Sequence, residues 1–175
     1  MYKNLLTTKL FKLSVYIILI ILSTSCISSK KLALRDQMFR TETKLGIELS
    51  KRDKLELFVE CSNWIGTPYK HGGMSINGAD CSGFTNAIYK SVYNKSLERN
   101  SHQIYKKNCR RIYKRSLKPG DLVFFRSGSS RKIDHVGIYL KDNRFIHAAT
   151  RGGVRVDNLN DKHYRTTFYR AGRVF

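Results

Sequence analysis

The chain has 175 residues, room for one domain and a tail but not for two large domains. Its 41% hydrophobic content supplies a globular core, so disorder is not the default. Thirty-three basic residues against 13 acidic ones give a formal charge of +20, a field that favours anionic partners: nucleic acid, anionic lipid or an acidic wall polymer.

Lys3, Lys9 and Lys12 precede an apolar run from Leu13 to Leu22, which Ser23, Thr24 and Ser25 close. Basic, apolar, then small residues make a secretory signal, and the run is too short for a membrane span of roughly 20 residues. The stretch "LSTSC" resembles a bacterial lipobox, with its leucine four residues before the cysteine instead of three. That resemblance implies cleavage before Cys26 and lipidation of its thiol, a membrane tether rather than a span. Residues 1–25 therefore read as a signal peptide, 26–50 as lipidated Cys26 with a polar tether, and 51–175 as the folded domain. Loss of residues 1–25 removes three lysines and no acid, lowering +20 to +17. An exported chain meets lipid headgroups and wall carboxylates, not DNA. The aromatic residues are also not interleaved with the basic ones as a single-strand groove requires, so nucleic acid is excluded as a partner.

From Asp53 the pattern turns helical. Leu57, Cys61 and Trp64, with Phe58 and Ile65 beside them, form an apolar stripe that Gly66 and Pro68 end. "YKHGGMSINGAD" is a glycine-rich connection, and Cys81, Phe84, Ile88 and Val92 form a second stripe. A shorter helix follows Ser101, with residues 102–108 as its body, and "LKPGD" is a turn. The period then shifts to strand at 122–126, 134–140, 144–149, 154–157 and 167–175. Helices first and strands second predict an α+β fold, helices packed on an antiparallel sheet.

Cys81 stands where the second helix begins. Asp80 caps that helix, and the unpaired N–H groups of a first turn stabilise a thiolate, so a reactive thiol of low pKa is expected. Strand alternation puts His135 and Gly137 on one face, with Val136 and Ile138 on the other. A three-residue loop at Lys141, Asp142 and Asn143 pairs Leu140 with Arg144 and sets His147 opposite Gly137, diagonal to His135. The missing side chain of Gly137 leaves room for an imidazole. A Cys–His–His relay follows, in which Cys81 attacks, His135 takes and returns the proton, and His147 orients His135. Cys81, His135 and His147 are also a conceivable zinc set, but no paired Cys-x-x-Cys or His-x-x-x-His element accompanies them; neither metal nor cofactor is expected. Cys61 reads as helix packing, buried and unpaired, and Cys109 as a loop residue.

"GTPYKHGG", "GADCSGF", "NSHQ", "LKPGDLVFF", "DHVGIYL" and "RFIHAA" occur in this order over nearly all of residues 55–150. In these elements the chain resembles the NlpC-type cell-wall cysteine peptidases, a papain-like family. The resemblance implies that Cys81 is the nucleophile, His135 the general base and His147 the third polar residue. It further implies that Tyr69 lines the site and supports the oxyanion, that Asp80 and Ser82 read the free amino end of the substrate, and that Ser101 makes another contact. The implied activity is amide hydrolysis in peptidoglycan stem peptides through an acyl-enzyme, between the D-glutamate side-chain carboxyl and a diamino acid, or at stem-peptide cross-links. A catalytically silent peptidoglycan-binding lipoprotein on the same fold is the alternative from another class, and an acyltransferase or amidase on a related scaffold is a third. The expected protein is a monomer of the cell envelope, anchored by lipid and facing the periplasm.

Overall fold

The computed structural model describes residues 29–128 and 132–175. The expected signal peptide and the expected lipidation site, Cys26, lie outside the described residues. The chain divides into two units, residues 1–40 and 41–175. In the first, residues 29–40 are helical and carry the exposed side chains of Leu32, Leu34 and Phe39. The second opens with helical residues 41–45, and Leu45 and Ile47 are buried in its main core. The folded unit therefore begins ahead of the expected boundary at residue 51, because two apolar residues within the polar stretch have a core to enter.

Helix α1 spans Leu55–Asn63 and buries Leu57, Phe58 and Cys61. A small hairpin, β1 (Met74–Ser75) with β2 (Gly78–Ala79), sits in the glycine-rich connection and leads directly into α2 (Cys81–Tyr93). Phe84, Ile88 and Val92 form the buried stripe of α2, as their spacing predicts. Asn94, in the left-handed conformation, ends it. Asn100 caps the short α3 (Ser101–Gln103), which continues as a π-helical turn at Ile104–Asn108.

Six antiparallel strands follow: β3 (Cys109–Ile112), β4 (Leu122–Phe125), β5 (His135–Tyr139), β6 (Arg144–Ala149), β7 (Gly153–Asn158) and β8 (Phe168–Val174), with α4 (Lys162–Thr167) before the last. They lie in the order β3-β8-β4-β5-β6-β7. Strand β3 is absent from the sequence-derived elements, and Cys109 opens it instead of lying in a loop. Its apolar content is too small to announce a strand; pairing with β8, Cys109 against Val174, defines it. As an edge strand it carries exposed Arg110 and Arg111, charges that discourage pairing with another chain.

The sheet has two unlike faces. Leu122, Phe124, Val136, Ile138, Ile146 and Ala148 join the helices in the main core. Val123, Phe125 and Phe145 face the other way and form a second cluster with Leu159 and Tyr164. By alternation His135 and His147 belong to this second face, opposite the body of α2.

Candidate active site

The nucleophile position is built by the start of α2. Asp80 is its N-cap, its Oδ1 accepting from the Gly83 N–H at 2.7 Å. Gly83 allows the glycine-rich connection to lie against the helix, since a Cβ there would meet the Gly73 carbonyl oxygen at 2.0 Å. The Cys81 thiol is only 9% exposed and lies within reach of the backbone N–H groups of Val136, Ser82 and Cys81 itself. Burial nevertheless pushes it up to about 11, against those donors and with the Asp80 charge adding to the rise. Two effects oppose each other here: the helix terminus expected to lower the thiol is in place, while the sulfur is packed against the core, and burial raises it.

The pairing of β5 explains why the Val136 N–H is available. Tyr139 donates to the Asp121 carbonyl on the β4 side, and Leu140 donates to the Arg144 carbonyl on the β6 side. Even-numbered residues of β5 thus point their N–H groups at β6. The β5–β6 ladder holds at Ile138–Ile146 and Tyr139–Phe145 and stops there, before Val136 and Ala148 would pair. The strands part where the thiol enters, and the Val136 N–H turns to sulfur. This seam brings a thiol from the helix face of the sheet to the residue next to His135.

The three-residue loop and the register it implies are observed, with Arg144 donating to the Lys141 carbonyl and Ile138 opposite Ile146. A Cβ on Gly137 would meet the Phe145 ring at 2.6 Å and His147 Cβ at 3.2 Å, so the glycine does make room for the imidazole. His135 Nε2 and His147 Nδ1 are 2.7 Å apart, their rings perpendicular. His147 thus engages Nε2 of His135, and Nδ1 is its other ring nitrogen. Burial pushes His135 down to about 3, helped by the His147 charge, and burial lowers His147 too. Burial thus favours the neutral form of both the thiol and the imidazole.

His147 is 1% exposed, and its far nitrogen meets a residue absent from the sequence-derived site: Nε2 lies 2.9 Å from Asp157 Oδ2. Asp157 sits two residues beyond Arg155, the β7 residue opposite His147. Arg155 Nε at 2.9 Å and the Tyr164 hydroxyl also donate to Oδ2. Burial opposes ionisation, but the hydrogen bonds from His147 and Tyr164, the His147 charge and Arg155 hold the carboxyl well below its usual range. The signal was present in "VRVD", where Arg155 and Asp157 share a face opposite Val154 and Val156.

The predicted substrate contacts are differently employed. Asp80 accepts from Gly72 N–H, Gly83 N–H and the Ser82 hydroxyl, and is gripped bidentately by Arg99 at 2.8 and 2.7 Å. Burial opposes, but these bonds hold its carboxyl down to about 2. Five donors meet its two oxygens, so a substrate ammonium has to displace one of them to be read by Asp80. Ser82 is buried and accepts from Arg99 at 2.7 Å, and Ser101 is buried and donates to the Ile133 carbonyl at 3.2 Å, so neither hydroxyl is open to substrate. Tyr69 is half-buried; burial raises its phenol, and the charges of Cys81 and Asp80 add to this, which puts it within electrostatic reach of the nucleophile. Arg99 was not foreseen; it lies directly before the "NSHQ" element.

Beside the histidines a groove of about 470 Å³ opens, lined by His135, His147, Arg151, Arg155 and His163 among others. Among the described residues no cluster of three or more His, Cys, Asp or Glu is arranged to hold a metal ion, and Cys61, Cys81 and Cys109 are free.

The model of the NlpC/P60 family matches residues 66–173, which include every residue of this constellation. The chain belongs to the NlpC/P60 family. It is 40% identical over 115 residues to the probable endopeptidase NlpC of Escherichia coli K12, a match covering 66% of this chain and 74% of that one. It is 32% identical over 121 residues to the E. coli murein DD-endopeptidase MepS/murein LD-carboxypeptidase, covering 69% and 63%. The solved NlpC/p60 domain of the peptidoglycan hydrolase SagA superposes with a TM-score of 0.59 at 29% identity, covering 68% of this chain and 97% of that domain. The α+β architecture is thus that of an NlpC/P60 domain.

Proposed function

We propose that this NlpC/P60 protein is a peptidoglycan hydrolase, a cysteine endopeptidase acting on amide bonds of cell-wall stem peptides. The observation that carries the reading is the His135–His147 hydrogen bond at the seam where the Cys81 thiol enters the sheet. In the proposed sequence His135 Nδ1 takes the thiol proton as sulfur bonds to the substrate carbonyl carbon. The oxyanion is met by N–H groups at the start of α2 and by the Tyr69 hydroxyl. The His135 imidazolium then gives its proton to the leaving amine as the C–N bond breaks, and water hydrolyses the thioester with His135 again as base. Digestion of purified muropeptides by the protein, read by mass, tests this. Undiminished cleavage by Cys81→Ala would overturn it.

Two bonds are candidates: D-glutamate (through its side chain) to diamino acid, and the cross-link between stem peptides. The saturation of Asp80 by Arg99 supports the second, because a cross-link cutter has no free amino end to read. Product masses separate the two. We further propose that residues 1–25 are removed and that Cys26 carries lipid at an envelope membrane. Seven exposed basic residues between Lys106 and Lys118 suit an enzyme held among anionic lipids and wall carboxylates. Cys26→Ser should move the protein from the membrane to the soluble fraction, and retention at the membrane would count against lipidation.

A further inference from the structure

The contact between His147 and Asp157 has a consequence for both histidines. A neutral imidazole carries one N–H, and an ionised carboxylate accepts but cannot donate. Facing Asp157 Oδ2 at 2.9 Å, His147 Nε2 must therefore bear the proton, which leaves His147 Nδ1 bare. His135 Nε2, 2.7 Å from that bare nitrogen, must then be the donor, and His135 Nδ1 is left with a free lone pair. We propose that Asp157 is a positioning residue that sets the tautomers of His147 and His135 in series, so that His135 presents its basic nitrogen to Cys81.

Three features support this. Arg155 and Tyr164 both donate to Asp157 Oδ2, which keeps the carboxylate charged and aimed. The Tyr164 hydroxyl also lies 3.3 Å from His147 Nε2, but its one proton is engaged by Asp157, so it does not compete as a donor. His147 is buried, so in the folded chain its Nε2 has Asp157 and Tyr164 as its polar neighbours. With the acceptor removed, as in Asp157→Leu, the Tyr164 proton is freed to donate to His147 Nε2 and the chain reverses: His147 becomes Nδ1-protonated, His135 accepts at Nε2 and carries its proton at Nδ1, where it cannot receive the proton of the thiol. When His135 does become an imidazolium, its positive charge is stabilised through His147 by Asp157.

The kinetic part of the test rests on the endopeptidase reading, while the spectroscopic part needs no substrate. In the full chain labelled with ¹⁵N-histidine at pH 7, NMR should find His135 and His147 both in the Nε2–H form. Finding Nδ1–H on His147 in the unsubstituted protein would overturn the proposal. Asp157→Leu, checked for folding by its melting curve, should turn His147 to Nδ1–H and lower kcat on muropeptides at least about 100-fold with KM within about twofold. A kcat within about threefold of the parent would also overturn it. Tyr164→Phe leaves the His147–Asp157 bond in place and should keep both tautomers, with a smaller loss than Asp157→Leu; a larger loss would transfer the role to Tyr164. Should Asp157→Leu fail to fold, the tautomers of the unsubstituted protein still decide. An inert parent enzyme with the expected tautomers would sink the endopeptidase reading alone.

Discussion

Asp80 and Asp157 serve the two halves of the site, and each is clasped by an arginine, Arg99 in one case and Arg155 in the other. Both carboxyls are held below their usual range by the bonds they accept. The remaining partners make the difference. Asp80 holds Gly72, Ser82 and Gly83, none of which reacts, so it fastens the glycine-rich connection to the first turn of α2. Asp157 holds His147, which holds His135, the proposed proton acceptor. Similar electrostatics thus produce an anchor on the helix side and a relay terminus on the strand side.

The sharpest break in this comparison is at Cys81, the proposed nucleophile. Cys81→Ala should abolish turnover of muropeptides while the melting temperature stays near that of the parent; residual turnover above about a thousandth would mean that another group attacks. Next, Gly137→Ala forces a methyl group into the Phe145 ring and toward His147 Cβ. Kinetics and melting curves should record a loss of at least about tenfold in kcat and about 1–3 kcal/mol of stability, and an unchanged kcat would mean that His147 need not hold its place. Arg99→Met, by contrast, leaves Asp80 without its counter-ion and should cost about 2 kcal/mol in denaturant unfolding. Its activity per folded molecule should fall far less than for Asp157→Leu, and an equal fall would erase the distinction between anchor and relay.

Two smaller effects follow from titration. His135 is depressed from 6.5 to about 3, so the unfolded chain takes up a proton near pH 6.5 that the folded protein refuses until about 3. Its contribution to stability is complete above pH 6.5 and is lost as pH falls through that window, whereas Asp80, depressed from 3.8 to about 2, adds its own loss only near pH 4 and below. The melting temperature should therefore already decline between pH 6.5 and 4.5, and His135→Asn should flatten the decline; an equal slope in that variant would assign it elsewhere. The thiol supplies the last measurement. With Cys81 raised to about 11, its alkylation by iodoacetamide, followed on the Cys81 peptide by mass, should climb about tenfold per pH unit from 7 to 9. A plateau by pH 7 would restore the low-pKa thiolate.

Much of the site was legible because strand geometry is local. Period-two alternation and a three-residue loop suffice to place His147 opposite Gly137, and the absent side chain at 137 has no other use so apparent. The cap at Asp80 was legible for the same reason, since a cap and its first turn are neighbours in the chain. Arg99 and Tyr164 were not, because each reaches its carboxylate from a separate element. Leu45 and Ile47 escaped notice in a polar stretch that only a finished core could claim.

The sequence by itself determined the α+β order of elements, the helix that starts at Cys81, the register that joins two histidines, and the family to which these belong. Tertiary structure decided three other things: the burial of the thiol, the hydrogen bonds that Arg99 and the glycine-rich connection make to Asp80, and the contact of Asp157 with His147. Each of these depends on burial and on partners distant along the chain. Desolvation and hydrogen-bond saturation are sums over everything packed around a group, and a sequence lists the groups without saying which will surround which.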